Sequence, residues 1–317
     1  MAPSILVTKL FIPQQLNRGL HSKLTLISAP AGFGKTTLVS DWIANIQLDG
    51  KKRSQSVNRT SGNKNRAAWL SLDEGDNDLN SFLIYFIAAM QTVEPDIGLE
   101  PLAALQSSGA ANSEAVLMAF LNEIASLTQP LVLILDDYHL IENQSIDKAL
   151  TFLLDHLPAT MHLVITTRID PALPLARLRG RGQLTELRVA ELRFTHDEAT
   201  MFLNQMMRLE LSAENIVALG SRTEGWITGL QLAALSLQEK DAEHVTSFIQ
   251  SFTGIHHHIL DYLVEEVLQQ QPPRLHSFLL QTSILTRLTG SLCEAVCDFE
   301  NDSSNQSDGH TILQQLA

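Results

Sequence analysis

Cysteine is almost missing from this chain. Two of 317 residues carry a thiol, so no disulfide framework is expected. Cys293 and Cys297 stand four apart on a predicted helix with no histidine or cysteine at zinc spacing, and they read as buried thiols. Long apolar runs are also missing. The longest, Phe82–Met90, is far short of the roughly 20 residues that span a bilayer. The opening MAPSILVTKLFIPQQ has no basic cap before its apolar part and no clear cleavage site, so no signal peptide is expected. Net positive charge is absent as well. The formal charge is −13, which disfavours broad binding to nucleic acid. These absences predict a cytoplasmic protein with no membrane partner. The length implies two or three domains.

What is present begins with a phosphate-binding signature. The apolar run Leu24–Ser28 leads directly into Ala29–Thr37, APAGFGKTT. Ala29 stands where the Walker A pattern usually opens on glycine, a position that needs a small residue. Gly32 and Gly34 let backbone N–H groups turn inward around phosphate, with Phe33 between them. Lys35 would reach the β/γ-phosphates, the Thr36 hydroxyl would ligate Mg²⁺, and Thr37 follows in the same cradle. A helix starting near Lys35 aims its positive dipole end at the anion. The alternative is a glycine-rich turn that holds nothing; the strand before it and the helical run Thr37–Ile46 after it favour the phosphate loop.

Residues 131–137, LVLILDD, fit a strand buried on both faces of a parallel sheet and ending in two acids. Asp136 at that end can hold the Mg²⁺ shell, and Asp137 can polarise an attacking water as general base. A solvated acidic turn is the alternative. A third apolar run, Leu163–Thr167, ends in Arg168, placed to sense a γ-phosphate or to pair with a nearby acid at the surface.

The rest of the chain sorts into two halves. Strands at about 67–72 and 184–189 and helices at 79–93 (starting at Asn80 or Ser81), 113–127 and 144–156 alternate with those above. That alternation specifies an α/β fold, a P-loop parallel sheet with helices on both faces. The segment 48–66 is a polar insertion whose cations, Lys51 to Arg66, read as a solvated arm. The acids Asp73, Glu74, Asp76 and Asp78 lack the glutamate that a calcium loop needs and read as a helix-entry turn. After Val189 strands cease. Thr195 and Glu198 carry the capping-box spacing, and helical patterns follow to the end. His256, His257 and His258 point about 100° apart on a helix and cannot converge on one ion. The apolar pattern Ile312–Leu316 reaches the last residues, so the chain is expected to be part of a longer protein.

The runs Lys23–Trp42, Ala67–Val93, Leu131–Ile141, Val164–Ala199 and Thr223–Leu237 together resemble the ATPase module of large LuxR-type transcriptional activators similar to the maltose-regulon activator, of the STAND class of signal-transduction ATPases. The resemblance implies a P-loop ATPase domain over 1–192, a helical domain over 193–253 and an incomplete winged-helix-like domain over 254–317. It implies an ATP/ADP-binding switch with slow hydrolysis, Mg²⁺ as the metal, and self-association in the ATP state. Phosphate and Mg²⁺ fall to Gly34, Lys35, Thr36 and Thr37, the Walker B roles to Asp136 and Asp137, and the sensor role to Arg168. Gly225-Trp226-Ile227 matches a Gly-x-Pro that touches the base in the class, with Ile227 in place of proline. The lead-in Ile12–Leu20 is shorter than that family's base-enclosing segment. The sensor repeats and DNA-binding helix-turn-helix of the family are not in this sequence, so no specific DNA binding is expected of this chain alone. Two other functions compete, a non-catalytic interaction module that has lost nucleotide switching and a small-molecule kinase.

Overall fold

The computed structural model describes residues 9, 12–53, 66–108, 113–238, 244–252, 257–269, 271–297 and 309–316. The elements run α1 (Ile12–Gly19), β1 (Leu24–Ser28), α2 (Lys35–Arg53), β2 (Arg66–Ser71), α3 (Leu79–Gln91), α4 (Leu99–Ser108), α5 (Ser113–Ala125), β3 (Leu131–Asp136), α6 (Gln144–His156), β4 (Met161–Thr167), α7 (Leu175–Gly180) and β5 (Leu184–Leu187). Short helices α8 (Val189–Leu192) and α9 (His196–Thr200) follow, the latter continuing as a π-helical turn, Met201–Met206. Then come α10 (Ala213–Thr223), α11 (Ile227–Gln238) and α12 (Val245–Ser251).

The strands form one parallel sheet in the order β2-β3-β4-β1-β5. Successive side chains of a strand point to opposite faces, and the core divides accordingly. Leu24, Leu26, Leu131, Leu133, Leu135, Leu163 and Ile165 pack on one face against α3, α5 and α6. Ile27, Val132, Ile134 and Val164 pack on the other, against Ile12 and Leu16 of α1 and Leu38, Val39 and Trp42 of α2. Strands β1, β3 and β4 are buried along their whole length, so their sequences are nearly continuous apolar runs.

Several local expectations are revised. Helix α2 runs to Arg53, well into the stretch read as a polar insertion, because Gln, Leu, Lys and Arg are good helix formers. Arg66, counted among the solvated cations, opens β2 and bonds Glu94 and the Val93 carbonyl. The rest of that arm lies outside the described residues, as does His256. Helix α3 starts at Leu79 rather than Asn80 or Ser81, because the Asp78 carboxylate caps the Ser81 N–H at 2.9 Å. The acidic cluster is the helix-entry turn expected of it, with Asp73 and Asp76 in a reciprocal capping box.

Residues 1–251 form one compact unit and 252–317 a second. The second holds α13 (His257–Leu263, continuing as a π-helical turn, Val264–Leu268), α14 (Pro273–Thr282), α15 (Gly290–Val296) and α16 (Gly309–Leu316). Its small core gathers Phe278, Cys293, Cys297 and Ile312, and both cysteines are buried and form no disulfide.

Candidate functional site

The site lies at the C-terminal end of the sheet, where β1, β3 and β4 release their chains. In a parallel sheet all strands point one way, so their following loops gather at one edge. Ser28 ends β1 and the loop Ala29–Gly34 follows. Its first residue is tied to β4 by the Ala29 N–H bonding the Thr167 carbonyl at 3.2 Å. Gly32 and Gly34 adopt φ of 76° and 72°, the left-handed region where a side chain would strain the backbone. Those two turns let α2 begin at Lys35.

Lys35 is buried. Its ammonium donates to the Ala29 and Pro30 carbonyls at 2.8 and 3.1 Å. Burial pulls its pKa down to about 8; Asp137 and Asp136 oppose that pull, and Arg168 adds to it. The Thr36 hydroxyl donates to Asp136 Oδ1 at 3.1 Å, joining the loop to β3. A second hydroxyl, from Thr166 on β4, also donates to Asp136 Oδ1 and accepts the Asp137 N–H at 3.1 Å. Asp136 is buried, and burial holds its carboxyl above the usual range despite these bonds.

Asp137 leaves β3 in a left-handed conformation, φ 59° and ψ 41°, unusual outside glycine. Its half-exposed carboxylate faces His139 Nδ1 at 3.8 Å, beyond hydrogen-bond reach. His139 sits on the 3₁₀ turn Tyr138–Leu140, and burial, with the Arg168 and Lys35 charges, depresses its pKa to about 4. Arg168 follows β4 directly and is half-buried.

The helical segment reaches the same loop. At the start of α11 the Trp226 indole N–H donates to the Ala31 carbonyl at 3.1 Å. Thr228 donates to the Gly32 carbonyl from both its N–H, at 3.2 Å, and its hydroxyl, at 2.9 Å. Gly225 makes this approach possible. Its φ is 72°, and a Cβ there would lie 2.6 Å from the Phe194 carbonyl oxygen.

The donor set suits a nucleotide triphosphate with Mg²⁺. The loop supplies a buried ammonium and two left-handed glycines, and Thr36 and Asp136 supply adjacent oxygens. Two protein oxygens are what Mg²⁺ commonly takes when phosphate and water complete its shell. Ala29, Gly32, Phe33, Gly34, Lys35, Thr36 and Thr37 are contiguous in loop and helix, and Asp136, Asp137 and Arg168 converge on them from β3 and β4. Thr166, Thr228 and His139 join them without having been singled out. Only His139 left a signal, its place just after the paired acids. No helix among the described residues is long and apolar enough to cross a membrane.

Residues 264–317 match the MalT winged helix domain. The chain is 37% identical over 288 residues to the HTH-type transcriptional regulator MalT of Klebsiella pneumoniae, covering 90% of this chain and 30% of that one. It is 34% identical over 303 residues to MalT of Yersinia pestis, covering 95% and 31%. The chain thus spans about 30% of the length of the curated relatives it matches. A STAND protein with a tetratricopeptide repeat sensor from Pyrococcus horikoshii aligns at TM-score 0.48 and 19% identity, covering 76% of this chain and 32% of that one. Nine-tenths of the chain aligns with MalT regulators at 34–37% identity and residues 264–317 match the MalT winged helix domain, so the chain is a MalT-like segment.

Proposed function

We propose that this chain is an ATP/ADP-binding switch with slow ATP hydrolysis, the regulatory module of an ATP-dependent transcriptional activator. One observation carries the reading. A phosphate loop with buried Lys35, tied through Thr36 to Asp136, is hydrogen-bonded on its outer side to the start of α11. Whatever fills the loop therefore acts on a helix of the neighbouring segment as well as on the sheet.

In this reading Thr36 and Asp136 hold Mg²⁺, which neutralises phosphate charge. Lys35 exchanges two neutral carbonyls for phosphate oxygens, a charge-assisted bond that is stronger. Arg168 and Lys35 supply the contacts that distinguish ATP from ADP, and that difference sets how far the conformational population moves. Asp137 takes a proton from water as the water oxygen bonds the terminal phosphorus and the bond to the departing ADP breaks. Self-association in the ATP state is part of the same reading. Sequence-specific DNA binding is left to other parts of a longer protein.

Calorimetric titration with ADP and with ATP–Mg²⁺ tests this, beside Lys35→Ala. The expected result is micromolar or tighter binding that weakens at least about 100-fold in the variant, since a buried charge-assisted contact is lost. Velocity sedimentation with each nucleotide then reads self-association. A folded wild-type chain that binds neither nucleotide refutes the switch and leaves an interaction module.

A further inference from the structure

Among the described residues two buried side-chain polar atoms lack a hydrogen bond, Asn80 Oδ1 and His139 Nδ1, and the second lies beside Asp137. The imidazole Nδ1 of His139 is buried and makes no hydrogen bond. Leaving such a group unpaired costs about 1–3 kcal/mol, so its presence calls for an explanation.

The turn that carries it is held firmly. On one side Tyr138 is buried, with its hydroxyl donating to Asp147 at 2.7 Å. On the other, Asn77 reaches across from the loop after β2. Its amide donates to the Leu140 carbonyl at 2.8 Å, while its Oδ1 accepts the Glu142 and Asn143 N–H groups at 2.7 and 3.2 Å. Within the turn, the Leu140 N–H bonds the Asp137 carbonyl at 3.1 Å. The turn is therefore fixed from both flanks, and the bare nitrogen of its imidazole lies 3.8 Å from Asp137 Oδ1. Asp137 is held by its own strained backbone, not by a side-chain partner at bonding distance.

We propose that His139 is a positioning residue for hydrolysis, its Nδ1–H closing onto the Asp137 carboxylate and orienting it toward the attacking water. The inference rests on the ATPase reading of the site. The gap to close is about 1 Å, within the range by which catalytic hydrogen bonds tighten when substrate binds. A carboxylate can only accept, so the nitrogen facing it must carry the proton. The other ring nitrogen plays no part. That asymmetry separates this role from mere filling of space.

The test uses the full 317-residue chain with His139→Ala, His139→Asn and His139→Gln. Asparagine places an amide N–H near the Nδ1 position, whereas glutamine places one near Nε2. ATP turnover under substrate saturation, ADP affinity by calorimetry and melting temperature are measured on each. The expected result is a fall in kcat of about 10- to 100-fold for alanine and glutamine, the scale of a misoriented base. KM and ADP affinity stay within about threefold, and asparagine recovers most of the rate. Turnover by the alanine variant equal to wild type, or equal rescue by glutamine and asparagine, overturns the proposal while leaving the switch intact. If alanine does not fold, the asparagine–glutamine pair decides alone. A wild-type chain that binds ATP and hydrolyses none overturns the positioning role, and one that binds no nucleotide refutes the switch itself.

Discussion

Two histidines sit near opposite ends of the same parallel sheet, and burial lowers the pKa of each to about 4. His162, near the start of β4, has both nitrogens satisfied. Its Nδ1 meets the Ser22 carbonyl at 2.8 Å and its Nε2 the Thr25 hydroxyl at 2.9 Å. A carbonyl only accepts, so the tautomer is fixed with the proton on Nδ1. His139, beside the phosphate loop, sits on a turn held from both flanks yet leaves its Nδ1 bare. Desolvation alone thus does not mark a functional group. What separates the two ends is whether the polar surroundings are closed. At the closed end the polar atoms stitch strands together. At the open end Lys35, Asp136, Asp137, Arg168 and His139 converge around one loop.

That contrast is breakable. The largest effect is expected at the open end. Asp137→Asn should lower ATP turnover by two to four orders of magnitude, the usual contribution of a general base, with ADP affinity and melting temperature nearly unchanged. Steady-state kinetics beside calorimetry would check it. A variant that lost stability instead would move Asp137 into the structural class.

Next comes the closed end. His162 has a folded pKa of about 4, below the ordinary value of 6.5. Between those values the unfolded chain takes up a proton that the folded chain refuses. This contribution therefore falls as pH drops from about 6.5 toward 4 and is flat above that window. At pH 5 the loss from this residue is about 2 kcal/mol relative to pH 7.5. His162→Gln should be less stable at neutral pH yet show a shallower acid slope, with a comparable part left by His139, and bind ADP as before. Urea unfolding at several pH values tests it. An unchanged slope would place the acid sensitivity elsewhere.

The smallest effect is expected where α11 meets the loop. Thr228→Val removes the hydroxyl bond to the Gly32 carbonyl but keeps the backbone bond. A single neutral hydrogen bond is worth about 1 kcal/mol, so nucleotide affinity should shift about fivefold, with turnover following only through binding. No shift would mean that the helical segment is not coupled to the loop through this contact.

The sequence made the open end partly legible because its signals are local. A small residue, two glycines, a lysine and a threonine follow a strand within nine positions, and paired acids end another apolar run. The Thr195–Glu198 capping box is of the same kind and is present as expected. What escaped was set by distance along the chain. Thr228 lies 196 residues from the carbonyl it bonds, and Asn77 about 65 from the turn it clasps. No periodicity encodes such pairings. Helix α4 also went unread, and so did the extension of α2, since lysine and glutamine serve helices and solvated arms alike.

The strand order carries one more consequence, for the order of events as the chain is made. Strand β1 emerges first, yet its neighbours in the sheet are β4 and β5, with Leu24 registered on Leu163 and on Leu184. At ~5–20 residues per second a ribosome needs on the order of 10 s to add the roughly 140 residues between β1 and its first partner. During that interval Leu24-Thr25-Leu26-Ile27-Ser28 has two unpaired edges and an apolar sequence, the features that invite wrong pairing. A fully buried strand of the phosphate site is thus also a nascent-chain hazard until β4 arrives.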